Sequence, residues 1–285
     1  MVCFFTMTYQ ESISRRALLS TLAAAPLAAA RKKIPVGVEL YSVRDQLKQD
    51  LMGTVRQVAK LGYDCVEFYS PYTEWTTAYA REVRKLLDDL GMKNLSNHTG
   101  SRSFSPENLG HVIELNQIMG SRFIIMSSAG RVTDLDGWKK VAETLNEAGA
   151  KMKSAGIRTG FHNHQTEFKP IDGTRPIDVL AKNTGKDVTL QLDVGTCIEA
   201  GSDPVVWINQ NPGRITSMHC KEWSRDPAVG YKALLGEGEA QWKKIFAAAE
   251  KTGGIEFYLV EQEGSRFEPM DTIDRCLKTF RKVHG

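Results

Sequence analysis

The chain has 285 residues, 41% hydrophobic and 25% charged, a size and balance that suit one soluble domain with a single large core. Thirty-seven basic against 34 acidic residues make no strong basic field, which argues against nucleic acid as a partner. Five cysteines without a Cys-x-x-Cys pair argue against a disulfide framework or a thiolate zinc site, so Cys65, Cys197, Cys220 and Cys276 are expected to be small buried hydrophobes.

Residues 1–30 read as an export leader, with the fold running over 31–285. Ser14-Arg15-Arg16-Ala17-Leu18-Leu19, an alanine-rich apolar run and Ala28-Ala29-Ala30 have the form of a twin-arginine signal with a small-residue cleavage site. The alternative is a basic amino-terminal tail. The run from Ala17 to Ala30 is too short for a stable span of a bilayer core about 30 Å thick. The expected location is therefore periplasmic or otherwise exported. Twin-arginine substrates fold before export, which lets a metal be loaded in the cytoplasm.

After the leader, strand and helix signals alternate. Strands are expected near 35–40, 64–68, 93–97, 122–126, 157–162, 188–193, 215–219 and 256–261, where short β-branched or apolar runs end in turn signals. Helices are expected between and after them, near 50–61, 75–90, 106–119, 136–155, 176–183, 203–210, 240–252 and 270–283. Gly62, Gly91, Gly120 and Gly156 stand where a left-handed residue ends a helix. Ser105-Pro106 and Asp203-Pro204 supply a cap followed by a first-turn proline. Eight βα units in about 250 residues predict an α/β fold, a single-domain (β/α)8 TIM barrel. An open doubly wound sheet usually carries Gly-x-Gly-x-x-Gly after its first strand, and this sequence has none there.

In such a barrel, functional groups sit at the carboxyl ends of the strands. Strands five to eight end in His162 with His164, Asp193, His219 and Glu261, and Glu39, Glu67 and His98 end the first three. Alternate residues of a strand share a face, so Gln191 goes with Asp193, Ser217 with His219, Leu259 with Glu261, and Gly160 with His162. Each group has an ordinary explanation by itself: Asp193 as a helix cap, His219 as a core histidine, one acid of Glu261-Gln262-Glu263 as a solvated loop residue. Their recurrence on successive strands points to a metal.

The stretches Gly160-Phe161-His162-Asn163-His164-Gln165-Thr166-Glu167-Phe168, Leu192-Asp193-Val194-Gly195, His219-Cys220-Lys221-Glu222, Gly236-Glu237-Gly238-Glu239 before Trp242, and Glu261-Gln262-Glu263 resemble the sugar isomerase and epimerase branch of the xylose isomerase-like barrels, from about Val36 to the carboxyl terminus. The resemblance implies one divalent metal held from strands five to eight by His162, Asp193, His219 and Glu261, with His164 or Glu167 as alternatives at strand five. Two hard oxygens in a mixed shell favour Mn²⁺, with Co²⁺, Mg²⁺ and Zn²⁺ also suited. It further implies that Glu261 removes the proton beside a sugar carbonyl through an enediolate, giving epimerisation or isomerisation.

Histidine at strand five replaces one of the two opposed glutamates usual in epimerases. His162, His164 or Glu167 would then complete the acid/base work, or the enzyme is a lyase or hydratase on a keto-sugar or keto-glycoside. Lys221 is a candidate for holding a substrate oxygen or an enolate. Glu39, Glu67, His98, Trp75 and Trp223 are candidates for substrate binding, the tryptophans against a sugar face. Gly236-Glu237-Gly238 reads as a turn, since its acids would repel a phosphate. The expected partner is a small sugar or glycoside, and the sequence is compatible with a homo-oligomer. Two readings of other classes remain: an exported sugar-binding protein without catalysis, and a DNA-repair nuclease, which six histidines and near-neutral charge support poorly.

Overall fold

The computed structural model describes residues 1–4 and 33–285; the expected twin-arginine segment lies outside them. Residues 34–285 form one compact unit. Its strands are β1 (Val36–Glu39), β2 (Cys65–Phe68), β3 (Lys93–Gly100), β4 (Phe123–Ser128), β5 (Arg158–His162), β6 (Thr189–Asp193), β7 (Ser217–Cys220) and β8 (Phe257–Val260). They close in sequence order, every pair parallel, and β1 against β8 completes the ring. No helix among the described residues is long and apolar enough to cross a membrane.

The barrel closes because its two faces are chemically distinct. Outward residues such as Val38, Val66, Ile124, Leu190, Leu192, Met218 and Val260 join a large core with the helices, while Cys65, Leu95, Phe123, Ile125, Phe257 and Leu259 form a separate apolar cluster. The second cluster plugs the interior beneath the site, and each such large side chain stabilises by about 1.5–3 kcal/mol on burial. Gly160 makes room for it: a Cβ there would come within 2.1 Å of Thr189 Cγ2 and 2.7 Å of Ile125 Cδ1. That inward-facing position fixes the parity of β5 and turns His162 toward the barrel axis.

The outer helices end largely where the sequence says they must. Pro106–Met119 and Pro176–Asn183 have the expected bounds, and Gly62, Gly91, Gly120 and Gly156 all adopt positive φ. Asp203 caps its helix through Val205 N and Val206 N. Ser105 occupies the cap position, but no helix N–H reaches its hydroxyl. The expected single helix over 240–252 is an α-helix, Trp242–Ala248, followed by a π-turn, Ala249–Gly253. Three short α-helices escaped periodicity, Arg44–Gln49, Gln165–Phe168 and Val194–Glu199, each too brief to show a clear 3.6-residue repeat. Cys65, Cys197, Cys220 and Cys276 are free and buried.

Candidate active site

The strand ends open into a cavity of about 420 Å³ lined by Glu39, Tyr41, Tyr69, Ser70, His98, Ser127, His162, His164, Gln165, Thr196, Lys221, Tyr231, Glu261 and Glu263. His162 and Glu261 from this lining, with Asp193 behind it, bring ligand atoms within 4.8 Å of one another. All three are buried. Asp193 splits its carboxylate: Oδ1 accepts from Thr196 N at 2.9 Å and caps the helix Val194–Glu199, while Oδ2 is buried and accepts no hydrogen bond from the described residues. Lys221 Nζ stands 3.5 Å and His162 Nε2 3.8 Å from that oxygen.

A buried anionic oxygen without a hydrogen bond is costly, and a cation beside it removes the cost. The surrounding donors fit one. His162 Nδ1 lies 3.1 Å from Gln191 Oε1, and Gln191 is oriented by giving its amide to Glu67 Oε2 and Ser217 Oγ, both at 3.1 Å. The proton of His162 therefore belongs on Nδ1, leaving the Nε2 lone pair toward Asp193. Burial, and then His219, His98 and His164, hold His162 well below the usual imidazole range, so it is neutral. Two carboxylate oxygens and a neutral imidazole suit a hard or borderline divalent ion.

His219 adjoins this group. Its Nδ1 is 2.5 Å from Glu261 Oε2 and its Nε2 is 2.7 Å from Glu67 Oε1. Burial opposes its charge, but Glu67 and Glu261 outweigh burial and raise the imidazole well above its ordinary value. As a ligand it would give up the Nδ1 proton and keep Nε2–H on Glu67. His98, His162 and His219 also cluster, but their shared face is already engaged: His98 Nε2 lies 2.5 Å from Gln191 Oε1 and 3.0 Å from Glu67 Oε1. The free lone pairs gather instead around Asp193.

Glu67, expected as a substrate contact, is placed behind His219 and Gln191. It is fully buried, bonded to His219, Gln191 and Ser96, and absent from the cavity lining. Such outer carboxylates orient ligating histidines. Glu39 and His98 do line the cavity. Glu39 Oε2 accepts from Tyr41 N at 2.9 Å, and burial, then Glu261, push its carboxyl well above the usual range. Glu261 is the reverse: burial would raise it, but Lys221 and His219 hold it well below.

Lys221 Nζ is buried among Glu261 at 3.2 Å, Asp193 and Glu263, and lies 4.9 Å from the Tyr231 ring centroid. Burial disfavours its charge, yet these carboxylates hold the ammonium well above its ordinary value.

Three other expected groups lie away from the cavity lining. Glu167 points back at its own helix start, Oε2 accepting from His164 N at 2.6 Å and Oε1 from Thr166 Oγ1 at 2.9 Å, and it does not line the cavity. Trp75 packs edge-on against Phe68, Tyr72 and Tyr79. Trp223 belongs to the turn around Glu222, giving its N–H to that carboxylate. The aromatic walls are Tyr41, Tyr69 and Tyr231, with Tyr41 and Tyr69 meeting edge-to-face at 5.1 Å. A signal for two of them was present: β1 and β2 both end in Glu-x-Tyr-Ser, as Glu39-Leu40-Tyr41-Ser42 and Glu67-Phe68-Tyr69-Ser70.

At strand five the geometry makes a testable ranking. His162→Ala is expected to lower divalent-metal affinity by more than about 100-fold, beyond the 10–100-fold usual for outer-shell partners. His164→Ala is expected to cost less than tenfold, and Glu167→Gln to loosen the short helix without releasing metal. Metal titrations of the three variants measure the order. Loss of metal from Glu167→Gln with retention in His162→Ala would reverse the assignment.

Residues 55–283 match the family described as xylose isomerase-like TIM barrel. An inosose dehydratase of Lacticaseibacillus casei is 26% identical over 144 residues, 45% of this chain and 48% of that protein. The rhizopine catabolism protein MocC of Rhizobium meliloti is 26% identical over 170 residues, 54% of this chain and 52% of its own. The chain thus spans about half the length of these curated relatives. The crystal structure of a sugar phosphate isomerase/epimerase from Parabacteroides distasonis is similar with a TM-score of 0.73 and 26% identity, covering 89% of this chain and 96% of that one.

Proposed function

Since the chain belongs to the xylose isomerase-like TIM barrel family, we propose that it is a divalent-metal enzyme that takes the proton beside a carbonyl of a polyhydroxylated ketone and expels water from the next carbon. His162, Asp193, His219 and Glu261 would hold the ion, Mn²⁺ first among those the donors suit. A divalent ion there would polarise the carbonyl and acidify the adjacent C–H.

One observation favours elimination. Glu39 ends β1 and Glu261 follows β8, neighbouring strands whose register pairs Val38 with Val260 immediately before them. Their environments push their proton affinities apart, Glu39 up and Glu261 down, which is how acid and base roles are divided between two carboxyls. Glu261, ionised, accepts the carbon proton. Glu39, protonated, gives one to the departing hydroxyl. Lys221, beside Glu261, steadies the negative charge on the enolate oxygen. Acid and base on one side of the cavity suit loss of water across one face of the substrate. Epimerisation instead needs proton donors on opposite faces. His164, from β5 across the ring from β1, supplies a second face and keeps epimerisation or isomerisation as the second reading.

The test is NMR of products and label in D₂O, with metal-loaded protein and a panel of free sugars, cyclic polyol ketones and keto-glycosides. The expected product is dehydrated. In Glu39→Gln, deuterium should still enter at the carbon beside the carbonyl while water loss falls by about 10²–10⁴-fold. Deuterated, epimerised substrate without dehydration would select the second reading, and no exchange with any member would sink both.

A further inference from the structure

We infer that the substrate carries no phosphate, because the chain's own carboxylates already engage the donors of the loop after β7 and the cation that lines the cavity; the inference concerns the substrate class of the enzyme just proposed and rests on that reading. In (β/α)8 barrels a phosphate is frequently bound by backbone N–H groups of the loops after strands seven and eight. After β7 those donors converge on Glu222. Its Oε2 accepts from Gly236 N at 2.8 Å and Trp242 Nε1 at 2.7 Å, and its Oε1 from Ala240 N at 3.1 Å and Trp223 N at 3.2 Å. The carboxylate is buried, and the fit around it is close: a Cβ on Gly238 would lie 2.7 Å from Glu222 Oε1 and 2.2 Å from Trp223 O. These four donors are thereby taken by the chain's own carboxylate.

The cations tell the same story. Among the described residues Lys221 is the one lysine or arginine lining the cavity, and three carboxylates already surround it. Arg266, from the loop after β8, is committed to Glu237 through both terminal nitrogens, at 2.9 and 2.7 Å. Glu263 lines the cavity beside Lys221 and would face an incoming phosphate with a like charge. The remaining wall is Glu39 and Glu261, the histidines His98, His162 and His164, and tyrosine, serine, threonine and glutamine; His98 is engaged by Gln191 and Glu67, and the hydroxyls, amide and tyrosine rings bond hydroxyls and cover ring faces without demanding charge. The structure thus assigns an uncharged, hydroxyl-rich substrate.

Matched pairs test this: free ketoses and cyclic polyol ketones against the same compounds bearing a terminal phosphate, each presented to the metal-loaded full chain. Binding is read by saturation-transfer NMR and proton exchange by deuterium uptake. The neutral member of each pair should bind about 10²-fold more tightly, the penalty expected for setting like charges together. In Glu263→Lys that ratio should shrink by at least about tenfold, because the rim charge is reversed. Equal or tighter binding of the phosphorylated members by the wild-type protein would overturn the inference. Binding of neutral members without deuterium uptake would sink the proton-transfer reading and leave this one standing, whereas uptake into phosphorylated members alone would do the opposite.

Discussion

Asp193→Asn is expected to strip the protein of its divalent ion and of activity together while leaving the barrel folded. The substitution keeps an oxygen at Oδ1 for the Thr196 N–H, 2.9 Å away, so the cap of Val194–Glu199 survives. What it removes is the charge on Oδ2, the buried oxygen that accepts no hydrogen bond from the described residues. Metal affinity should fall by more than about 100-fold, since even the partners behind the ligands are worth 10–100-fold. Asp193→Ala should add the loss of a helix cap, about 1 kcal/mol. Metal analysis after dialysis against a weak chelator, with far-UV circular dichroism and thermal melts on the same samples, separates the two effects. Wild-type metal content in Asp193→Asn would show that the ion, if any, is held elsewhere.

Glu261→Gln should separate metal binding from proton transfer. The amide retains an oxygen toward the ion or toward His219, which lies 2.5 Å from Oε2, but it cannot take a proton from carbon. Turnover should drop by about 10²–10⁴-fold, and deuterium uptake should drop with it, in contrast to Glu39→Gln, where uptake persists. Part of the loss will be electrostatic, because Lys221 loses one of its three carboxylate neighbours. Lys221→Met serves as the control: it removes the ammonium and leaves the base. Near-wild-type turnover in Glu261→Gln would mean that another group removes the proton.

How far such roles can be read without a structure depends on whether the information is local. Strand and helix periods, glycines where helices turn left, and the place of Asp193, His219 and Glu261 at the ends of apolar runs are all properties of a few consecutive residues. Parity then carries each of those groups to one face, and barrel closure brings the faces together. This is why the buried group at the barrel floor was legible, along with the inward turn of His162 imposed by Gly160. The family likeness extended that reading to the metal and the sugar.

Roles that depend on contacts which neither strand alternation nor helix period encodes were not legible. Glu39 and Glu67 look alike in sequence, each in Glu-x-Tyr-Ser, yet Glu39 lines the cavity while Glu67 lies behind it, bonded to groups as remote as Gln191 and His219. Glu167 was a plausible ligand until a four-residue helix turned its carboxylate onto its own backbone. Trp75 and Trp223 follow strands as a sugar platform would, but loop packing took one into an aromatic cluster and the other into the Glu222 turn. The sequence by itself determined the barrel and the set of groups at its mouth, because alternation along a strand is a two-residue rule. Only the tertiary structure decided which of those groups face the cavity, which brace the others and which are neutralised, because those choices rest on hydrogen bonds and burial that alternation does not encode, some between remote residues, as Glu67 with Gln191 and His219, and some within one turn, as Glu167 with His164 N.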